Sequence, residues 1–93
     1  MKFKVSLHLM PARKGGLYSD NKFNWRIPKD TAQEAGVILF DDADFLLNPG
    51  EMTDATLVPL DTHLWTHIKV GDSIVAFEGY HKVAEADIVE IIK

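Results

Sequence analysis

His63 and His67, four residues apart, form the only histidine pair at a spacing that metal chemistry uses. On a helix that interval places both imidazoles on one face, as zinc ligands require. The segment between them carries Trp65 and Thr66, which favour a strand or loop, where the rings stand apart. A zinc site also needs three or four converging ligands. Spacing indicates only these two, although His8, His81 and many carboxylates exist. Two polar residues flanking a packed tryptophan are therefore expected, with no metal and no cofactor.

Other reactive side chains are equally incomplete as sets. Asp61-Thr62-His63 and the serines Ser6, Ser19 and Ser73 supply the materials of a base-activated hydroxyl. Nothing resembles a nucleophile elbow, and such triads are defined by geometry rather than sequence. Asp41, Asp42 and Asp44 lack the alternate oxygen ligands, central glycine and distal glutamate of a calcium loop. They read as carboxylates on a solvated turn. Gly15-Gly16 lacks the spacing and the following lysine of a phosphate loop. The absence of cysteine excludes disulfides, thiol catalysis and cysteine-based zinc sites. Catalysis is not expected, and binding is.

The elements that position these residues are short. Ninety-three residues, 46% hydrophobic and 26% charged, suit one soluble domain with one small core. Phe3, Val5, Leu7 and Leu9 alternate with polar neighbours in a half-buried strand that Pro11 ends. Phe23, Trp25 and Ile27 share a face of a second strand, closed by Pro28. Asp30 or Thr31, with Glu34 placed as in a capping box, predicts one helical turn over Thr31 to Ala35, before Gly36. Val37 to Phe40 and Thr53 to Leu60 read as strands, the latter with an edge or bulge at Pro59. Thr62 to Ile68 fits no single pattern. Ser73 to Phe77 and Lys82 to Ile92 form a hairpin through Glu78-Gly79-Tyr80-His81, with Ala84, Ala86 and Ile88 on one face and Glu85 and Asp87 on the other. Good helix formers offer a helix for the last dozen residues, but the β-branched Val83, Ile88, Val89, Ile91 and Ile92 favour the strand. Trp25 and Trp65, set among apolar neighbours, should be buried. Short strands between Gly, Pro and Asp turns indicate an all-β sandwich or barrel.

Several of these motifs, taken in order, resemble the C-terminal domain of elongation factor Tu. They are Lys2-Phe3-Lys4-Val5, Gly15-Gly16, Phe23-Asn24-Trp25-Arg26, Gly36-Val37-Ile38, Asn48-Pro49-Gly50-Glu51, and the closing hairpin with Phe77-Glu78-Gly79 and Lys82-Val83-Ala84-Glu85-Ala86. Together they span nearly the whole chain. The resemblance implies a small six-stranded antiparallel Greek-key barrel, as a free-standing single domain. In that family a glycine-glycine-arginine loop after the first strand and a glutamate-glycine turn in the last hairpin help hold the T stem of aminoacyl-tRNA. The turn is matched at Glu78 and Gly79. The loop is matched only at Gly15 and Gly16, because Leu17 stands where the arginine would be. Leucine cannot replace a bidentate phosphate donor. The loop is also shorter, and no GTPase domain precedes Met1, so tRNA delivery is not implied.

A protein partner is expected instead. The net charge of −4 disfavours RNA, since the ten basic residues are scattered and only Lys2/Lys4 and Arg13/Lys14 approach clusters. No apolar run approaches the roughly 20 residues of a membrane helix, and a cytoplasmic address fits the absence of cysteine. The longest irregular segment, Pro11 to Asn21, carries Leu17 and Tyr18 at its tip. The resemblance sets this loop beside the last hairpin, so Gly15, Gly16, Leu17, Tyr18, Glu78, Gly79, Tyr80 and His81 form the candidate binding patch. In the competing arrangement Leu17 and Tyr18 fold back to plug one end of the barrel. Three other functions are consistent with the residues: a weak RNA- or tRNA-binding module using Gly15-Gly16, Arg13, Lys14 and Arg26; a small metal-dependent enzyme around His63 and His67; and an acidic inhibitor or immunity-type protein.

Overall fold

Period-two alternation governs the backbone. A computed structural model describes residues 1–27 and 33–93. Its strands are β1 (Lys2–Leu9), β2 (Leu17–Tyr18), β3 (Asn21–Arg26), β4 (Gln33–Leu39), β5 (Leu46–Leu47), β6 (Met52–Pro59), β7 (Ser73–Glu78) and β8 (His81–Ile92). Six of them close into a barrel in the order β1-β6-β4-β3-β7-β8, every pairing antiparallel. Strands β3, β4 and β6 form a meander, and β1 returns beside β6, which is Greek-key connectivity. Closure leaves no sheet edge to cover. The expected all-β, six-stranded antiparallel barrel is thus the observed fold.

The core fills from alternate positions: Phe3, Val5, Leu7 and Leu9 from β1, Phe23 and Trp25 from β3, and Ala84, Ala86 and Ile88 from β8. Strand β8 serves both β1 and β7, and it bends to do so. Its register shifts against β7 between Ala76 and Phe77, leaving Val83 as an extra residue, and against β1 between Lys4 and Val5, leaving Val89 extra. Such bulges sharpen local twist and bend, as a small closed barrel requires. They also break the alternation, so Val83 is buried next to buried Ala84, while Val89 and Glu90 are exposed side by side.

Two expectations need correction. The one helical turn among the described residues is a 3₁₀ turn at Thr62–Trp65, not a turn at Thr31 to Ala35. Asp30, Thr31 and Ala32 lie outside the described residues, but Gln33, Glu34 and Ala35 already run in β4. Gly36 does not end a helix. It sits mid-strand because the Trp25 indole crosses it, Nε1 donating to Gly36 O at 3.1 Å. A Cβ there would lie 2.9 Å from Leu57 Cδ1 and 3.1 Å from Trp25 Cδ1. Pro59, in turn, makes no bulge, and β6 is paired on both sides, but the β1 ladder stops short of Pro59. Leu60 N donates to Ala35 O, which makes Gly36–Pro59 a pair without ladder bonds. The proline nitrogen therefore faces the β1 side, past the end of that ladder at Phe3–Leu57, where no donor is needed.

The ladders set the two ends of the barrel. One end carries both termini and the 60–72 connection. There Trp65 is buried against Phe3, ring centroids 5.8 Å apart. The other, the loop end, gathers the connections 10–20 and 40–51 and the β7–β8 turn. A two-stranded sheet of β2 and β5 lies there, pairing Leu17 with Leu47 and Tyr18 with Leu46.

Candidate binding surface at the loop end

The 10–16 loop is shaped by two glycines with different reasons. Gly15 adopts φ +84°, which costs a side-chain-bearing residue about 1–2 kcal/mol. Gly16 is needed for closeness: a Cβ there would lie 2.5 Å from Leu46 Cδ1 and 2.8 Å from Leu47 O. That approach lets β2 pair with β5. Leu17 then points inward and is wholly buried, as is its partner Leu47. Tyr18 points outward and is exposed, with Asn21 Nδ2 donating to its carbonyl at 2.8 Å. The expected tip residues thus divide. Leu17 plugs the barrel and offers no surface, while Tyr18 reaches solvent.

The β7–β8 hairpin reverses through two residues. Glu78 pairs with His81, and Gly79 takes φ +61°, as the first position of a type II′ turn requires. Tyr80 projects entirely into solvent, and Glu78, Gly79 and His81 are exposed beside it.

Arg13 joins the two segments. Its Nε donates to Glu78 Oε1 at 2.8 Å and its Nη2 to Glu78 Oε2 at 3.4 Å. Nη1 donates to the carbonyls of Gly15 at 3.0 Å and Gly16 at 2.9 Å. The guanidinium also lies 5.8 Å from the centroid of the Phe23 ring, within cation–π range. The Arg13 side chain is only 13% exposed, so this fork is partly desolvated, whereas that of Glu78 is 49% exposed. Beside the pair runs a groove of about 600 Å³, lined by Ala12, Arg13, Lys14, His81, Lys82 and Val83 together with Glu78. Lys82 is in turn ion-paired with Glu85.

The structure therefore brings the 10–16 loop and the last hairpin together through a residue that pattern reading left outside the patch. The signal was slight: Arg13 belongs to one of the few basic pairs, and Glu78 sits in the matched turn. Lys82 and Val83 lay in the matched hairpin but outside the expected patch, and Ala12 had no signal; the bulge at Val83 falls where β8 lines the groove.

The remaining reactive residues lie outside the Arg13 groove. Asp61 caps the 3₁₀ turn, its Oδ1 accepting from His63 N at 3.1 Å. Trp65 enters the core, and His63 and His67 are both exposed. Among the described residues, no three His, Asp or Glu side chains gather where they could hold a metal ion. Ser19 Oγ accepts from Phe40 N, and Ser73 Oγ donates to Asp87, so both hydroxyls have backbone or carboxylate partners.

The sequence matches no known family model and none of the curated proteins it was compared with, so residue roles rest on this geometry.

Proposed function

We propose that this barrel is a non-catalytic binding module that engages a protein partner at its loop end, through the groove between the 10–16 loop and the β7–β8 turn. The observation that carries this reading is the Arg13 fork. It holds two segments distant in sequence in one fixed relation, with a groove beside them and a fully exposed Tyr80 at the turn. Preorganised loops on a closed barrel lower the ordering cost of binding, and tyrosine offers large contact area with a polar tip.

The resemblance to the elongation factor Tu C-terminal domain supports the choice of end, since the same two elements carry binding in that family. It does not extend to RNA. The residue at the arginine position, Leu17, is buried, and the nearby guanidinium is already committed to Glu78 and two carbonyls. A chain of net charge −4 adds long-range repulsion toward phosphates.

Photo-crosslinking tests this directly. A benzophenone amino acid in place of Tyr80 should give a protein adduct in cells of the native host, and the same group in place of Leu64, at the opposite end, should not. Adducts to RNA at position 80, or protein adducts only at position 64, would contradict the reading.

A further inference from the structure

Residues 40–54, the connection after β4 with the first three residues of β6, hold Asp41, Asp42, Asp44, Glu51 and Asp54 and no Lys or Arg. The other nine carboxylates of the chain face ten Lys and Arg. The excess negative charge is therefore concentrated on this one stretch. Acidic turns are ordinary on solvated surfaces, and charge alone would carry nothing more.

An aromatic wall sets this connection apart. Phe40 and Phe45 meet edge to face, centroids 5.1 Å apart and planes at 81°. Phe40 is buried, but Phe45 is 37% exposed. Both rings line a cleft of about 280 Å³ whose other walls are Asp41, Asp42, Thr53 and Asp54. The turn fixes its shape: Asp42 Oδ1 accepts from Asp44 N at 2.9 Å, and Phe45 N donates to Asp42 O at 3.1 Å. Asp42 is thereby engaged. The carboxylates of Asp41 and Asp54 make no hydrogen bond or ion pair among the described residues. Next along the chain, Leu46 stands beside Tyr18 on the outer face of the β2–β5 sheet, both exposed.

Two unengaged carboxylates at an aromatic wall suit an organic cation on an apolar stem. The ring face attracts the cation, the carboxylates accept its hydrogen bonds, and the stem lies on apolar surface. A hard metal ion needs more oxygen ligands than the two free carboxylates offer, and nucleic acid is repelled. We propose that this cleft docks a basic segment of a partner protein, seating an Arg or Lys side chain between the Phe45 ring and the carboxylates of Asp41 and Asp54. The site is separate from the Arg13 groove and does not depend on it.

The test uses a short fluorescein-labelled peptide of alternating arginine and leucine, with a glutamate–leucine peptide as control, read by anisotropy. The basic peptide should bind more weakly as salt rises, and the acidic one should not bind. Asp41→Asn/Asp54→Asn should weaken binding roughly threefold to tenfold, the scale of two exposed charge contacts. In the wild-type protein, amide shift changes on titration should centre on residues 40–46 and 53–54. No binding of the basic peptide, unchanged affinity in the double variant, or shift changes centred elsewhere would overturn the proposal. A free polyamine binding as tightly as the peptide would overturn it too, by showing that the site takes cations without a protein segment.

Discussion

Arg13 and Glu78, 65 positions apart in the chain, share two side-chain hydrogen bonds, and the same guanidinium holds the carbonyls of Gly15 and Gly16. The two partners are not equivalent. Arg13 is largely enclosed and serves four acceptor atoms, whereas Glu78 is half in water, where solvent screens the pair. Arg13→Ala should therefore destabilise the barrel by about 1–3 kcal/mol in urea unfolding, through lost packing and unpaired carbonyls. Glu78→Gln should cost under about 1 kcal/mol. Arg13→Lys should behave closer to Ala than to wild type, since an ammonium cannot reach all four acceptors in one plane. Equal effects of Arg13→Ala and Glu78→Gln would show that the ion pair, not the fork, holds the loop.

The adjacent glycines should fail for different reasons. Gly15→Ala strains the backbone but meets no atom, so its cost should be about 1–2 kcal/mol. Gly16→Ala forces β2 away from the β5 backbone, at about 1–3 kcal/mol. The distinguishing readout is hydrogen exchange. Amides of the β2–β5 pair should lose protection in Gly16→Ala and keep it in Gly15→Ala.

Leu17 and Tyr18 separate the core from the surface at one step of backbone. Leu17→Ser removes a fully buried side chain and introduces a hydroxyl, and should cost about 2–5 kcal/mol by thermal or chemical unfolding. Tyr18→Ser should change stability by roughly 0.5 kcal/mol. Similar losses for the two would mean that Tyr18 also supports the barrel.

Alternation made much of the fold legible. In β1 and β3 every inward residue could be read from period two, because one face of each strand meets the core and the other meets solvent. The hairpin turn was legible because only glycine suits the first position that Gly79 fills. Pattern failed where tertiary contact decides. Glu34 imitates a capping box yet extends in β4, because pairing with Trp25 overrides a local signal worth about 1 kcal/mol. Val83 and Val89 defeat alternation because they are bulges demanded by closure. His63 and His67 had helical metal spacing, but burial of Trp65 sets the course of that segment. The Arg13–Glu78 tie left only a slight trace, since only the closed barrel brings its partners together.

The two buried indoles differ in a way that sequence could not show. Trp25 Nε1 donates to Gly36 O, whereas Trp65 Nε1 has no hydrogen-bond partner among the described residues. Trp25→Phe loses a buried bond as well as volume, and should cost about 1 kcal/mol more than Trp65→Phe. Paired denaturant titrations of the two variants check this. An equal or reversed order would contradict the assigned role of Gly36.

The central claim, that the loop end is the binding surface, is tested most directly by quantitative affinity capture from the native host with three forms of the protein. They are the wild type, Tyr80→Ser/His81→Ser at the β7–β8 turn, and Leu60→Ser/Leu64→Ser among the exposed apolar residues of the opposite end. All three should give the same dichroism spectrum, because every altered side chain is exposed. The account predicts one protein enriched by the wild type and by the Leu60/Leu64 variant, and lost with the Tyr80/His81 variant. Retention by the Tyr80/His81 variant, or loss only with the Leu60/Leu64 variant, would contradict it.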